Sequence, residues 1–308
     1  MIDVVLSCFN GSNYLEQQVK SLLCQYISYK WRLIIGDDAS KDKTFDIIIN
    51  YKRTIPDRLS AYKNLHNLGT ALNFSKLLLF SDNTYTCFCD QDDVWLPHKM
   101  EVSLKKMQEM ETRYGQQRPI LVHTDLTVVD QNLNLIYPSF RQYQNLDPNP
   151  PRLLPRLLVQ NFVTGCTMLI NKPLKDLITP IPKEAIMHDW WIALTAAALG
   201  KIAYIPEPTV LYRQHQQNSV GARKWGINYM LSRLNNLEKI RNDIQKTIIQ
   251  AQKFRETFQD QLTPEQLDII DTYIDLPNQP WLTRKYLMID RGYYQLGKLK
   301  NLGFLYCI

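Results

Sequence analysis

The stretch Tyr85-Thr86-Cys87-Phe88-Cys89-Asp90-Gln91-Asp92-Asp93 sets an apolar, β-prone run directly against three carboxylates. The run predicts a strand over Tyr85 to Cys89, and if its extended geometry persists, Asp90 and Asp92 project to the same side. Like charges this close repel, and a divalent cation with hard oxygen ligands relieves that strain. Magnesium or manganese takes one or two protein carboxylates and completes its shell with water and substrate phosphate oxygens. The competing reading is an acidic solvated turn, or the cap of a helix over 97–113 with Pro97 at its start. Asp93 suits such a structural role, but an acidic turn leaves the apolar strand behind it unexplained.

Working outward, the same alternation repeats. Strand signals fall at Ile2 to Leu6, Arg32 to Ile35, Leu121 to Thr124, Cys166 to Ile170 and Ile202 to Ile205. Between the first two, Asn13 as cap and Glu16 three residues on predict a helix with an apolar face of Leu15, Val19, Leu22, Leu23 and Tyr26. Further helices are predicted over 43–53, 70–81 and 189–199. Strand and helix taking turns predict an α/β fold, a mainly parallel central sheet with helices on both faces. From Gly226 strand signals vanish, and Ile227, Met230, Leu231, Leu234, Ile240, Ile244, Ile248, Phe254 and Phe258 recur at helical spacing. Thr263-Pro264-Glu265-Gln266 carries a cap, a proline at the first helical position and a capping box. The boundary falls near 222, dividing a domain over 1–222 from a helical appendage over 223–308.

Composition narrows the function classes. The chain has 308 residues, 45% of them hydrophobic and 21% charged, which excludes collagen-like, disordered and disulfide-scaffold proteins. No run approaches the roughly 18 to 20 apolar residues of a membrane span, and Met1 to Leu6 reads as a strand rather than a secretory signal. A cytoplasmic protein is expected. The six cysteines are scattered through apolar runs, and Cys87 with Cys89 does not fit the usual zinc knuckle spacing. Net charge is +6, and residues 222–308 hold 13 Lys/Arg against 9 Asp/Glu. That surplus, with aromatics interleaved from Trp281 onward, suits anionic lipid headgroups or an ordinary solvated helical surface. The terminal helices therefore have three readings: packing on the first domain, joining two subunits as a homodimer, or peripheral contact with a membrane. No nucleic-acid module accompanies the charge.

A parallel sheet binds ligands beyond the carboxyl ends of its strands, so Ser7 to Asn10 and Asp37-Asp38-Ala39-Ser40 are the next clusters to read. One acid there caps the following helix, and another can accept the imide N–H of uracil or thymine, or a ribose hydroxyl. Neither G-x-G-x-x-G nor G-x-x-x-x-G-K-[ST] occurs, so any phosphates must be held by a metal.

In order, Val5 to Asn10, Asp37 to Thr44, Asp90 to Trp95 and His188-Asp189-Trp190 resemble family 2 glycosyltransferases of the GT-A fold. Thr164 to Met168, Met187 to Trp191, Tyr212 to His215 and Asn218 to Gly221 resemble bacterial polysaccharide rhamnosyltransferases, including those that extend rhamnan backbones. The likeness covers residues 1–225. It implies that Asp38, with Asp37 beside it, recognises the nucleotide base, and that Ser7 and Asn10 line the same pocket. It also implies that Asp90-Gln91-Asp92 is the D-x-D motif, with Asp92 the direct Mn2+ or Mg2+ ligand and Asp90 reaching the ribose or the metal shell. Asp189 is the implied catalytic base, with His188 standing where the wider family often has Glu. The implied donor is dTDP-L-rhamnose, and the implied acceptor a glycan or lipid-linked glycan.

The chemistry asks for such a set independently. A departing diphosphate needs positive charge, and an attacking hydroxyl needs a base on the opposite side of the anomeric carbon. One base and no covalent partner predict inversion, by analogy with inverting glycoside hydrolysis. Around this core, His215 either approaches the metal or lies in a surface loop. Arg213 contacts phosphate or pairs with surface acids. One of Trp190 and Trp191 lines the acceptor cleft while the other is buried, and Thr164-Gly165 allows close ligand approach or makes a tight turn. His66 and His98 read as structural or solvated, and His123 as core packing rather than acceptor contact. The competing functions are transfer from another UDP- or dTDP-sugar, a silent sugar-nucleotide or glycan-binding protein, and a nucleotidyltransferase.

Overall fold

The computed structural model describes residues 1–147, 150, 152–215 and 237–295. The chain runs β1 (Ile2–Cys8), α1 (Leu15–Leu23), β2 (Trp31–Asp37), α2 (Thr44–Thr54), β3 (Leu59–Lys63), α3 (Thr70–Leu78) and β4 (Tyr85–Asp90). It continues through β5 (Val94–Trp95), α4 (Lys99–Tyr114), β6 (Ile120–Val129), β7 (Leu135–Tyr137), α5 (Phe140–Gln144) and α6 (Leu153–Val159). After a 3-10 turn at Gly165–Thr167 come β8 (Leu169–Asn171), α7 (Lys172–Ile178), α8 (His188–Leu199) and β9 (Lys201–Arg213). Three more helices follow: α9 (Leu237–Phe258), α10 (Pro264–Asp275) and α11 (Trp281–Arg291).

The strands form one sheet in the order β3-β2-β1-β4-β8-β6-β9-β5, with β7 on β6. The strands β3-β2-β1-β4 are parallel, as are β6 and β9, so the ends of β1, β2, β4 and β6 share one edge. Their residues alternate between two cores, as pleating requires. Val5, Ile34 and Phe88 face α3, α6 and α8, whereas Val4, Leu33 and Cys87 face α1, α2 and α4. Burial on both faces explains why these strands are continuous apolar runs.

The differences from the sequence reading are local. The segment Cys166 to Ile170 becomes strand only at Leu169, and β8 runs antiparallel to both β4 and β6. It is reached from α5 and α6 rather than by a simple strand-helix-strand crossover. Asn13 does not cap α1: Tyr14 occupies that position without a side-chain bond, and the Gly11 carbonyl accepts the N–H groups of Tyr14 and Leu15 instead. Helix α4 begins at Lys99, two residues beyond Pro97. The capping box at Thr263 is present, with Gln266 N–H donating to Thr263 Oγ1 at 3.2 Å and Thr263 N–H to Gln266 Oε1 at 2.9 Å.

The terminal helices pack on the sheet domain. Phe254 and Phe258 meet the Trp191 ring at centroid distances of 5.5 and 6.0 Å, and Gln266 Nε2 donates to the Ala198 carbonyl at 2.7 Å. Ile240, Ile244, Phe254, Ile270 and Tyr273 thus join the same core as α3, α6 and α8. The boundary at 222, Asn218 to Gly221 and the helical positions Ile227 to Leu234 lie outside the described residues. Among the described residues, no helix is long and apolar enough to cross a membrane.

Candidate active site

The loops after β1 and β2 are fastened to each other. Asn10 N–H donates to Ser40 Oγ at 2.9 Å, Asn10 Oδ1 accepts Lys41 N–H at 2.9 Å, and Gly11 and Ser12 N–H donate to Thr44 Oγ1 and Asp42 Oδ2. Asn10 takes a left-handed backbone (φ 49°), which short polar side chains tolerate. Ser7 Oγ accepts Asn73 Nδ2 at 2.7 Å.

The two neighbouring acids separate in role. Asp38 is 1% exposed, and its carboxylate accepts Asn64 Nδ2 at 2.8 Å and the N–H groups of Leu68 and Gly69 at 2.9 Å each. It thereby holds the segment entering α3, which offers it three donors. Asp37 Oδ2 accepts Ser40 N–H at 3.2 Å, while Asp37 Oδ1 is buried with no partner, and burial pushes this carboxyl above its ordinary value.

The acidic loop bends immediately after β4, so strand geometry does not persist to Asp92. Gln91 makes the bend, clasping the Phe9 backbone from both sides: Phe9 N–H donates to Gln91 Oε1 at 2.8 Å, and Gln91 Nε2 donates to the Phe9 carbonyl at 2.9 Å. A Cβ on Gly11 would lie 2.0 Å from Gln91 Oε1, so this clasp needs glycine there. Burial first, and then the charges of Asp92 and Asp189, push Asp90 up to about 7. Asp93 is fully buried, hydrogen-bonds with Cys166, and is driven well above the carboxylate range by burial and by Asp92 and Asp90.

Two groups from the end of β9 complete the loop. His215 Nε2 lies 2.8 Å from Asp92 Oδ2, and its ring stacks on Tyr14 at 4.7 Å. Arg213 is 2% exposed, and its guanidinium donates to the Asp92 carbonyl at 2.7 Å, the Gln131 carbonyl at 2.5 Å and Gln17 Oε1 at 2.6 Å. It therefore braces the acidic loop from within the protein, where the sequence suggested phosphate or surface acids. Tyr14 and Gln17 carry no signal of their own in the sequence, since one tyrosine or glutamine at a polar helix start is commonplace.

The donor set fits a divalent cation. Asp90, Asp93 and Cys166 place ligand atoms within 4.8 Å of one another, and Asp93 Oδ2 is buried without a partner. The Cys166 sulfur is soft, and burial keeps its thiol protonated, so the hard carboxylate oxygens of the group are the better match for magnesium or manganese.

Asp189 sits in the first turn of α8. Its Oδ2 accepts Gly165 N–H at 3.1 Å, its Oδ1 is closed to solvent without a partner, and burial pushes the carboxyl up to about 6. Gly165, whose N–H Asp189 accepts, directly precedes Cys166, whose sulfur lies within 4.8 Å of Asp90 and Asp93 oxygens, so the base candidate and the acidic loop are joined through this one turn. Gly165 is required by packing: a Cβ there would lie 2.7 Å from His188 Nε2. His188 is buried, stacks on Phe74 at 4.0 Å, and is held neutral by burial with its pKa pushed down to about 3. Trp191 is buried against α9, whereas Trp190 is half-buried and its Nε1 donates to the Leu157 carbonyl at 2.5 Å. Thr164 receives Thr167 Oγ1 on its carbonyl at 2.6 Å. His123 is buried beside Tyr204, and His98 pairs with Glu207 at 2.8 Å.

A half-sheet of parallel strands gathering acids at one edge, joined by a further carboxylate on a later helix, defines a GT-A glycosyltransferase fold. The family model described as glycosyl transferase family 2 matches residues 3–175, and the chain belongs to that family. The dTDP-rhamnosyl transferase RfbG of Shigella flexneri is 27% identical over 229 residues, 70% of this chain and 74% of that protein. The putative teichuronic acid biosynthesis glycosyltransferase TuaG of Bacillus subtilis is 26% identical over 226 residues, 73% of this chain and 83% of that protein. Relatives from mycobacteria are matched over 59% of their length. The mannosyltransferase PcManGT of Pyrobaculum calidifontis, solved with GDP-Man and Mn2+, superposes with a TM-score of 0.57 at 14% identity, covering 99% of this chain and 83% of that one. That likeness is one of fold.

Proposed function

We propose that this chain is an inverting, divalent-cation-dependent glycosyltransferase that transfers L-rhamnose from dTDP-L-rhamnose to a growing bacterial surface glycan. The observation that supports the reading is the turn at Gly165 and Cys166, which touches the Asp189 carboxylate on one side and the Asp90–Asp93 acids on the other. The likeness to RfbG supports the donor, and the likeness to TuaG supports polysaccharide synthesis.

In this reading Asp189 accepts the proton of the acceptor hydroxyl on Oδ1, while Gly165 N–H holds Oδ2 and fixes the direction of the lone pair. Its pKa of about 6 leaves it ionised at neutral pH and basic enough to take a proton as the new bond forms. Asp37 Oδ1, buried and without a partner, is the carboxylate oxygen left for the thymine imide or ribose, with Asp38, Ser7 and Asn10 beside it. Asp92 and Asp90, with His215 beside Asp92, would hold the cation, which would supply positive charge to neutralise the departing diphosphate. His188 fills the space behind Gly165 and keeps it against Asp189.

Residues 1–222 form the catalytic unit in this scheme, working in the cytoplasm where nucleotide sugars are available. Trp281, Leu282, Tyr286 and Ile289 of α11 are 65–73% exposed beside Arg284 and Lys285, which suits peripheral contact with an anionic membrane bearing a lipid-linked acceptor.

The test is a donor panel of dTDP-rhamnose and UDP-linked sugars, with and without Mn2+, reading nucleotide diphosphate release and the anomeric configuration by NMR. Cation-dependent dTDP release with an α-linked product is expected. A β-linked product overturns inversion, and no release from any donor overturns the enzyme reading.

A further inference from the structure

Asp189 lies in the first turn of α8, yet the start of that helix is not fixed by its own sequence. Its cap residue, Met187, makes no side-chain bond to the open N–H groups. The residue before it, Ile186, instead donates its N–H to Gln250 Oε1 of α9 at 2.9 Å. Gln250 is 1% exposed and sits in a buried stripe of α9, with Thr247, Ile248, Ala251 and Phe254 around it. An apolar residue there would pack with no polar group left to satisfy. The glutamine amide is only half used: Ile186 N–H fixes which side carries the oxygen, and Nε2 is buried without a partner. Such a donor costs free energy in a core, and what offsets it is the service of the oxygen to Ile186.

That grip is one of several converging on the same carboxylate. On the other side of Asp189, Trp190 Nε1 donates to the Leu157 carbonyl of α6 at 2.5 Å, and the Trp191 ring packs on Phe254 and Phe258 of α9. Gly165 N–H holds the carboxylate itself through Oδ2 at 3.1 Å. The residues flanking Asp189 are thus pinned to elements outside α8. Two of the pins, Gln250 and Phe254, are four residues apart and so lie on adjacent turns of one face of α9. A general base acts over hydrogen-bond distances, and a displacement of about 1 Å from remote changes costs about 10²-fold in rate.

We propose that Gln250 is a positioning residue for Asp189, fixing the start of α8 through the Ile186 N–H, so that the terminal helices set the geometry of the base. The inference rests on the transferase reading above, in which Asp189 takes the acceptor's proton. The reacting groups then lie within residues 1–222, while the register of one of them is held from α9.

The experiment compares two variants of the full chain in dTDP release from dTDP-rhamnose with Mn2+. Gln250→Met keeps the side-chain length and removes the acceptor, with Gln250→Leu as the second variant should the first not fold. Tyr273→Phe is the control, removing the 2.7 Å hydrogen bond between Thr247 of α9 and Tyr273 of α10, which does not involve α8. In Gln250→Met kcat falls about ten- to a hundredfold, with KM for the donor and affinity for dTDP within about twofold. Backbone amides at the start of α8 exchange with deuterium at least about threefold faster, and Tyr273→Phe keeps kcat within about twofold. In an Asp189→Asn background the same Gln250→Met change alters the residual rate by less than about twofold, because no base is left to place. A Gln250→Met kcat within about twofold of wild type, or an equal fall in both backgrounds, overturns the proposal. No turnover by the wild type with any donor overturns the transferase reading, and the exchange rates alone then uphold or overturn the grip of α9 on α8.

Discussion

Replacing Asp189 with Asn separates catalysis from stability, because the two effects have opposite signs. The amide keeps the size of the side chain and an oxygen for Gly165 N–H, 3.1 Å away in the wild type, but cannot accept the acceptor's proton. Loss of a general base lowers kcat by about 10²- to 10⁴-fold. Burial raises the carboxyl from its ordinary 3.8 to about 6. The folded state therefore binds this proton more tightly than the unfolded chain does. The stability from that preference is full below about pH 4 and lost as pH rises through about 6. At pH 7.5 the ionised carboxyl costs the fold roughly 3 kcal/mol, at about 1.4 kcal/mol per pH unit, which the neutral amide removes. Asp189→Asn thus melts several degrees above the wild type at pH 7.5 while binding dTDP normally. The assay is dTDP release at saturating donor, with thermal melts at pH 4 and 7.5. The wild-type rate falls on the acid side with a midpoint near 6. A variant that keeps more than about a tenth of the wild-type kcat refutes the base assignment, and one that melts lower at pH 7.5 refutes the burial argument.

Gly165→Ala puts a methyl 2.7 Å from His188 Nε2 and loses about 1–3 kcal/mol, and His188→Ala in the same chain restores part of the loss; thermal melts of the single and double variants check both. Arg213→Lys cannot serve the Asp92 carbonyl, the Gln131 carbonyl and Gln17 together, so Mn2+ affinity measured with dTDP present weakens by about tenfold while far-UV circular dichroism is kept. Phe254→Ala opens a hole beneath Trp191 and costs about 3–5 kcal/mol by chemical denaturation, with sheet and terminal helices destabilised together.

The elements that deliver acids were legible because their cause is local. Strands β1, β2 and β4 are buried on both faces and read as unbroken apolar runs, and each ends where polar residues begin. Strand β3 escaped notice because Leu59 to Lys63 is only partly buried and carries no such run. Helix α6 escaped because Pro155 lies inside it, a residue that usually marks a break but is tolerated in a first turn. At the site, Asp90, Asp92, Asp189 and His215 stood out by residue type. What did not show was the division between Asp37 and Asp38, because it depends on donors at Asn64, Leu68 and Gly69 that reach Asp38 only after β3 and α3 have folded back. The inward turn of Arg213 was hidden for the same reason: its acceptors at Gln17, Asp92 and Gln131 come from three distant parts of the chain.

That long-range brace sets an order of assembly during synthesis. Gln17, Asp92 and Gln131, which accept from Arg213, all precede it in the chain, yet the acidic loop receives its guanidinium and imidazole only when the polypeptide beyond residue 213 has left the ribosome. A nascent chain stopped earlier carries its carboxylates without those supports, so the acidic loop matures only after most of the sheet has been made.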